Sequence, residues 1–320
     1  MLDHNHHFSK SLAIKLLSLE TSDLNQKCYL NVETTDYESD RSTLLLLHGY
    51  LGTSQDYHKF FHTFNNFYNI IACDLRGHGK SDNCTNPYNT ISWTISDFAA
   101  DIYQIVTQTV DRGDKVIVIA SSLSTAIALQ LAANYPEIVE SMFLISPTCK
   151  FKILKWTNIL LFFEQILPEK VMHRMTMVIS NLLIKLSTKQ KDPPKRERRI
   201  RGIKHFQKIK WTTHRKILTQ ALKLWSADVS IINHPVFIVA GIEDNVVPYE
   251  DSVQIHRLIR NSALLTIHSK HQILITRVKL ITNILEQWLK DYEAILLRKF
   301  ICADNLVMIN NNFRIPLIKK

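Results

Sequence analysis

Short apolar runs alternate with helical patterns along most of this chain, and no other feature limits its possible folds as much. The runs are CYLNV (28–32), TLLLL (43–47), NIIAC (69–73), KVIVI (115–119), SMFLI (141–145), VFIVA (236–240) and LLTI (264–267). Between them, residues 97–110, 124–135 and 277–297 carry apolar side chains at three- and four-residue spacing, as helices with one buried face do. Strands separated by helices do not pair as simple hairpins. They assemble into a mostly parallel sheet whose two faces are both covered. The expected class is therefore α/β, a mostly parallel twisted sheet with helices on both faces. A chain of 320 residues, 46% of them hydrophobic, is long enough to bury one large core.

The alternation is interrupted once, after the run ending at Ile145. Residues 147–230 read as helical, apolar and basic, so the predicted organisation is a core made of residues 1–146 and 231–297, an inserted helical cap over 147–230, and a C-terminal extension over 298–320. The net charge of +10 is concentrated in that insert: residues 150–230 hold 19 Lys and Arg against five Asp and Glu, which leaves the rest of the chain slightly acidic. Such a block is either a solvated outer face or a docking surface for an anionic partner. An anionic membrane fits the mixture of charge with apolar runs such as WTNILLFFEQIL (156–167). Nucleic acid is disfavoured because no recognised binding motif accompanies the charge.

Residues 116–136 are free of charge and approach the ~20 residues of a membrane span. Their first half is β-branched and their second half is rich in alanine and leucine, which predicts a buried strand running into a buried helix. No transmembrane helix is expected. The first residues, MLDHNHHFSK, carry no secretory pattern. Five scattered cysteines (Cys28, Cys73, Cys84, Cys149 and Cys302) suggest neither a metal site nor a disulfide framework. The expected location is cytoplasmic, with peripheral membrane contact as the sharper alternative. No HExxH or carboxylate cluster calls for a metal, and no cofactor is expected.

Chemistry-bearing residues gather just after the predicted strands. Five of the seven glycines fall in three such loops: Gly49 and Gly52 in LLLLHGYLG, Gly77 and Gly79 in DLRGHGKSD, and Gly241 in VAGIEDNVVP. Catalytic and ligand-binding groups of open α/β sheets collect at the carboxyl ends of the strands, so these loops mark a rim. Ser122, in DKVIVIASSLSTAIALQLA, lies between a strand and a helix. It can be read as a helix N-cap or as a nucleophile lifted above the sheet edge on a sharp turn. A nucleophilic serine needs a histidine and a carboxylate to orient it. His271 and Asp244 each follow a strand, and the order Ser, Asp, His is the one used by hydrolases of this strand-helix architecture.

With HG at His48-Gly49, DLRGHGKSD at 74–82, the turn at Ser122, GxxDxxVP at 241–248 and a late His271, the sequence resembles the α/β-hydrolase superfamily over roughly residues 26–297. That resemblance implies a Ser122, Asp244, His271 triad, an oxyanion hole formed by the backbone N–H groups of Tyr50 and Leu123, and an acyl pocket lined by Tyr50 and Leu51. It favours Asp244 over the adjacent Glu243, and it makes His48 and His78 structural. One departure stands out: Ala120 and Ser124 occupy positions, two before and two after the serine, where glycine is usual. The implied activity is a serine hydrolase, esterase- or lipase-like, cleaving a small-molecule carboxylic ester or a lipid. Two alternatives remain at this stage. One is a catalytically silent protein that binds membranes or a partner. The other is a lyase, since LLLLHGYLGTSQDY resembles the corresponding loop of the menaquinone-pathway enzyme.

Overall fold

A computed structural model describes residues 13–20, 27–83, 92–148, 167–188, 196, 200, 203–204, 206–207, 209–222 and 228–297. Eight strands form one sheet in the order β1-β2-β4-β3-β5-β6-β7-β8. They are β1 Ala13–Glu20, β2 Lys27–Thr34, β3 Thr43–Leu47, β4 Asn69–Cys73, β5 Val116–Ser121, β6 Val139–Ile145, β7 Val236–Gly241 and β8 Ser262–Ile267. β1 pairs antiparallel with β2, and β2 antiparallel with β4. Every other neighbouring pair runs parallel.

The continuous apolar strands explain this arrangement. Every residue of β3, β4, β5 and β7 is buried, as a parallel sheet covered on both faces requires. Successive side chains of a strand point to opposite faces, and the two faces feed separate cores. Leu45, Leu47, Val116, Val118 and Ala120 enter one core, beneath helices α2 (Ile95–Thr109) and α3 (Leu123–Asn134). Leu44, Leu46, Ile117 and Ile119 enter the other, with Phe60, Phe61 and Phe64 of α1 (His58–Phe64) and Trp288 and Leu289 of the closing helix (Val278–Leu297). Small residues let α3 lie close: Ser124, Ala126, Ala128 and Ala132 are all buried. Thr94 starts α2 with a reciprocal cap, its backbone N–H donating to the Asp97 carboxylate (2.7 Å) and its hydroxyl accepting from the Asp97 amide (3.3 Å).

The mostly parallel, doubly covered sheet is the expected one, and each predicted strand is present with small shifts at its ends. β1 was not expected. It is an antiparallel edge strand in which Leu19 is buried while Leu16 is 65% exposed, so its apolar pattern resembles neither a buried nor a cleanly two-sided strand. The cysteine reading also needs correction, because Cys28 on β2 is disulfide-bonded, its partner lying outside the described residues. Spacing along a sequence does not report which loops the fold brings together. Cys73 on β4 is a buried free thiol.

The described parts of the insert are helical: α4 (Glu169–Ser187), then α5 (Trp211–Lys216) continuing into a wider helical turn at Ile217–Leu222. Most of the run 156–167, most of the basic stretch 189–201 and all of 298–320 lie outside the described residues. After the insert come α6 (Tyr249–Leu258), the short α7 (Ile273–Thr276) and the closing helix, α8. No helix among the described residues is long and apolar enough to cross a membrane.

The DLRGHGKSD loop after β4 is held by two buried carboxylates. Asp74 accepts from the Ser54 amide (2.7 Å), the Lys80 amide (2.9 Å) and the Asn31 side chain (3.0 Å). At Gly79 (φ +53) a Cβ would sit 2.2 Å from the Asp74 carboxylate, so the loop can wrap its anchor only with glycine there. Arg76 makes a two-pronged pair with Asp101 of α2, at 2.6 and 2.5 Å, and donates to the Ser92 carbonyl at 2.9 Å. Both side chains of the pair are 6% exposed. Removing one partner strands the other charge in the interior. Asp101→Ala is expected to lower unfolding free energy by about 3–5 kcal/mol in a denaturant titration, and Arg76→Met combined with Asp101→Leu to cost less than Asp101→Ala alone.

Candidate active site

At the end of β5 the chain turns sharply into α3, and Ser122 is the turn. Its backbone lies in the left-handed region, φ 56 and ψ −118, a conformation that costs a residue with a Cβ on the order of 1–3 kcal/mol and survives only where its surroundings impose it. They do so through the main chain: the Ser122 amide donates to the Ile145 carbonyl of β6 (3.0 Å), and its own carbonyl accepts from the amide (3.0 Å) and hydroxyl (2.6 Å) of Thr125. Although Ser122 occupies the N-cap position of α3, its side chain makes no capping bond. The N-cap reading is thereby set aside. Its Oγ instead lies 2.8 Å from Nε2 of His271.

Ala120 and Ser124, where glycine is usual in the resembling family, fit this turn. Ala120 is fully buried in the core beneath it. The Ser124 Oγ lies 2.6 Å from the Leu47 carbonyl and 3.1 Å from that of Ser121, and accepts from the Ser121 amide at 3.0 Å. The hydroxyl thus ties the start of α3 to the end of β3. The next loop also comes close: a Cβ at Gly49 would lie 3.1 Å from the Ser121 carbonyl oxygen and 3.3 Å from the Ser122 Cβ. Glycine lets the HG turn rest against the serine.

Asp244 and His271 meet because the loops after β7 and β8 touch. A Cβ at Gly241 would sit 2.4 Å from the Ser269 carbonyl oxygen, so the contact exists only for glycine. Asp244 turns back on its own loop, one carboxylate oxygen accepting from the Val246 and Val247 amides at 2.9 Å each. The other accepts from Nδ1 of His271 at 2.8 Å. The side chain of Asp244 is 1% exposed and that of His271 18%. Burial alone would raise the Asp244 carboxyl, but the imidazole and the two amides outweigh it and hold the group below the usual aspartate range. A carboxylate there fixes the proton on Nδ1, leaving Nε2 to accept from the Ser122 hydroxyl. Glu243 is exposed and takes no part in this chain, its amide donating to the Ser269 carbonyl (3.2 Å).

The loop after β3 is braced by His48. Its Nε2 accepts from the Leu75 amide (3.0 Å), so the proton is on Nδ1, which donates to the Gly49 carbonyl (2.8 Å). Tyr50 and Leu51 follow, both half-buried, with Leu51 also in a left-handed conformation (φ 67). The Leu123 amide lies in the first turn of α3, where N–H groups have no partner within the helix. Among the described residues, no hydrogen bond from the Tyr50 amide is present.

One residue escaped sequence reasoning. His214 of α5, in the basic insert, sits 2.5 Å from the Tyr50 hydroxyl through Nδ1 and 3.0 Å from the Phe206 carbonyl through Nε2. A carbonyl only accepts, so Nε2 carries the proton and Nδ1 accepts from Tyr50. Phe206 stacks on the ring at 4.1 Å. Nothing in the string WTTHRK marks this histidine, because its partner is 164 positions away. His78, on the other side of Tyr50, meets its ring edge-on at 6.0 Å. Burial, with the neighbouring His48 and His214 adding to it, pushes His78 down to about 3, and burial pushes His214 down to about 4.

A sequence family described as alpha/beta hydrolase fold matches residues 42–278. A search of curated proteins finds no match. Among solved structures, the chain is similar to a hydrolase from Pseudomonas aeruginosa (16% identity, TM-score 0.67, 86% of this chain and 98% of that one). It is also similar to a thermophilic esterase from Thermogutta terrifontis (18%, 0.65, 87% and 98%). A third is the enol-lactonase from Burkholderia xenovorans (13%, 0.65, 86% and 100%). At such identities the likeness is one of fold.

The two neutral histidines around Tyr50 set an acid limit on stability. Both have folded-state pKa values below that of an unfolded histidine, ~6.5, so the unfolded chain binds more protons in the window between. Unfolding free energy is therefore expected to be unaffected by these groups above about pH 6.5 and to fall below it, by up to about 1.4 kcal/mol per pH unit for each histidine, down to about pH 4 for His214 and about pH 3 for His78. Urea titrations between pH 7 and 4.5 measure the slope, and His214→Phe should reduce it by about one proton.

Proposed function

The chain belongs to the α/β-hydrolase-fold family, and on that premise we propose that it is a serine hydrolase acting on carboxylic esters with an apolar acyl or alkyl part. The observation that carries this reading is the continuous hydrogen-bonded chain from Ser122 Oγ through His271 to Asp244, with both links at 2.8 Å. Ser122 is the nucleophile, His271 the general base and then acid, and Asp244 the group that orients the imidazole and stabilises its charged form. The left-handed turn at Ser122 supports the assignment, since strain at a serine that caps nothing is characteristic of functional sites.

The chemistry follows from the proton positions. As the Ser122 oxygen attacks the ester carbonyl carbon, its proton passes to Nε2 of His271, and the carbonyl oxygen becomes an oxyanion. The Tyr50 and Leu123 amides would receive that charge, the second with the added field of the α3 N-terminus. When the tetrahedral species collapses, the C–O bond to the alcohol breaks and His271 returns the proton to the leaving alkoxide. Water, deprotonated by the same nitrogen, attacks the acyl-serine and releases the acid, while the serine regains its proton. Asp244, held as a carboxylate by the Val246 and Val247 amides, keeps Nδ1 protonated throughout.

In this reading Tyr50 and Leu51 border the acyl pocket and the segment 147–230 acts as a cap. The Tyr50–His214 bond is the contact by which the cap's α5 engages the oxyanion loop. The similar proteins named above, an esterase and an enol-lactonase, fall in the same reaction class, and they inform the choice of substrates to test.

Steady-state kinetics on a series of p-nitrophenyl esters of increasing acyl length test the proposal. Hydrolysis is expected, with kcat lowered by Ser122→Ala to a residual rate no more than about 10³–10⁴-fold above that in water and by Asp244→Asn by about 10⁴-fold, KM changing little. Turnover that is the same in wild type and Ser122→Ala would refute it.

A further inference from the structure

The helix α4 (Glu169–Ser187) presents an apolar face that nothing among the described residues covers. Met175, Val178, Ile179, Leu182, Leu183 and Leu186 recur at intervals of three and four, the spacing of one helix side. Val178 is 63% exposed, Leu182 56% and Leu186 50%. The side next to it is the seated one. Ser180 and Ser187 are buried there, Met172 is buried at the first turn of the stripe itself, and the Gln207 side chain donates to the Ser180 hydroxyl (2.8 Å) and the Asn181 side-chain oxygen (2.8 Å). Beneath it lies α5, whose His214 holds Tyr50. From Met175 onward the stripe is exposed to solvent.

We infer that this outer face of α4 docks on an anionic lipid bilayer. Charge complementarity selects that occupant. Lys170, Arg174 and Lys185 are exposed and run along one edge of the stripe at the same helical spacing, while the helix's sole acidic residue is Glu169, at its first position. An aliphatic stripe edged by cations is the pattern that lies in the headgroup plane, with apolar side chains in the acyl boundary and lysine and arginine among the phosphates. A second copy of this chain is a poorer fit, because apposing two such faces brings two basic edges together in an insert that already holds 19 Lys and Arg against five Asp and Glu. A protein groove is poorer too: the exposed stripe contains no aromatic residue, whereas protein interfaces concentrate them. The helix is too polar overall to cross a membrane, so the contact is peripheral.

The test is vesicle co-sedimentation of the full chain with phosphatidylcholine vesicles, with and without phosphatidylglycerol. Wild type is expected to sediment with the phosphatidylglycerol vesicles and to be released by added salt. Val178→Asp with Leu182→Asp should weaken the partitioning at least about tenfold. Lys170→Gln, Arg174→Gln and Lys185→Gln together should weaken it severalfold and flatten the salt dependence. All five positions are on exposed surface, and an unchanged thermal melt establishes that the variants are folded. The proposal is overturned if wild type ignores the anionic vesicles or binds both kinds equally. It is also overturned if the double aspartate variant binds as well as wild type, or if wild type alone sediments as a dimer that this variant splits into monomers.

Discussion

A serine with a Cβ held at φ 56 does not arise from local preference. It exists here because three strands converge on it. β5 delivers the chain at the middle of the sheet, β6 takes the Ser122 amide on the Ile145 carbonyl, and β3 is tied to the start of α3 through the Ser124 hydroxyl. The energy that imposes the turn is that of the two buried cores, in which the residues just before it, Ile117 to Ala120, are fully enclosed. Once the turn is imposed, the hydroxyl has nowhere to cap and is left pointing at His271. The other functional geometry depends on that direction.

Close approaches between loops complete the arrangement, and they account for where this glycine-poor chain keeps its glycines. Gly49 lets the loop after β3 lie on Ser122, and Gly241 lets the loops after β7 and β8 touch so that Asp244 reaches His271. These contacts are short enough that any side chain would have to push a backbone carbonyl aside. The sequence is informative here for a physical reason: scarcity makes a glycine at a strand end a report of crowding or positive φ. The fold class was legible for a similar reason, because strands buried on both faces must be apolar throughout and helices covering them must be apolar on one side only. Ser122, Asp244 and His271 could be picked out since each follows such a strand.

What stayed hidden depends on contacts between distant residues with no local signature. β1 pairs at an edge where Lys15 and Leu16 meet solvent, so its pattern is mixed. Cys28 is joined to a partner that spacing did not reveal. The Tyr50–His214 bond links the loop after β3 to the insert, and neither residue's neighbours announce it. Ser124 is the instructive case. Read along the chain it is a departure from glycine, whereas in three dimensions its hydroxyl supplies a clamp to Leu47 that glycine could not. The insert then reads as two-sided, with α5 joined to the loop after β3 and α4 turned outward with an aliphatic stripe and a cationic edge.

The central claim is that the Ser122 hydroxyl is activated by His271. The most direct measurement is peptide mass spectrometry after exposure to a fluorophosphonate. A single phosphonyl adduct is predicted on the peptide containing Ser122, its formation slowed by orders of magnitude in a folded His271→Phe variant. An adduct elsewhere, or one that forms on Ser122 at the same rate without the imidazole, would contradict the account.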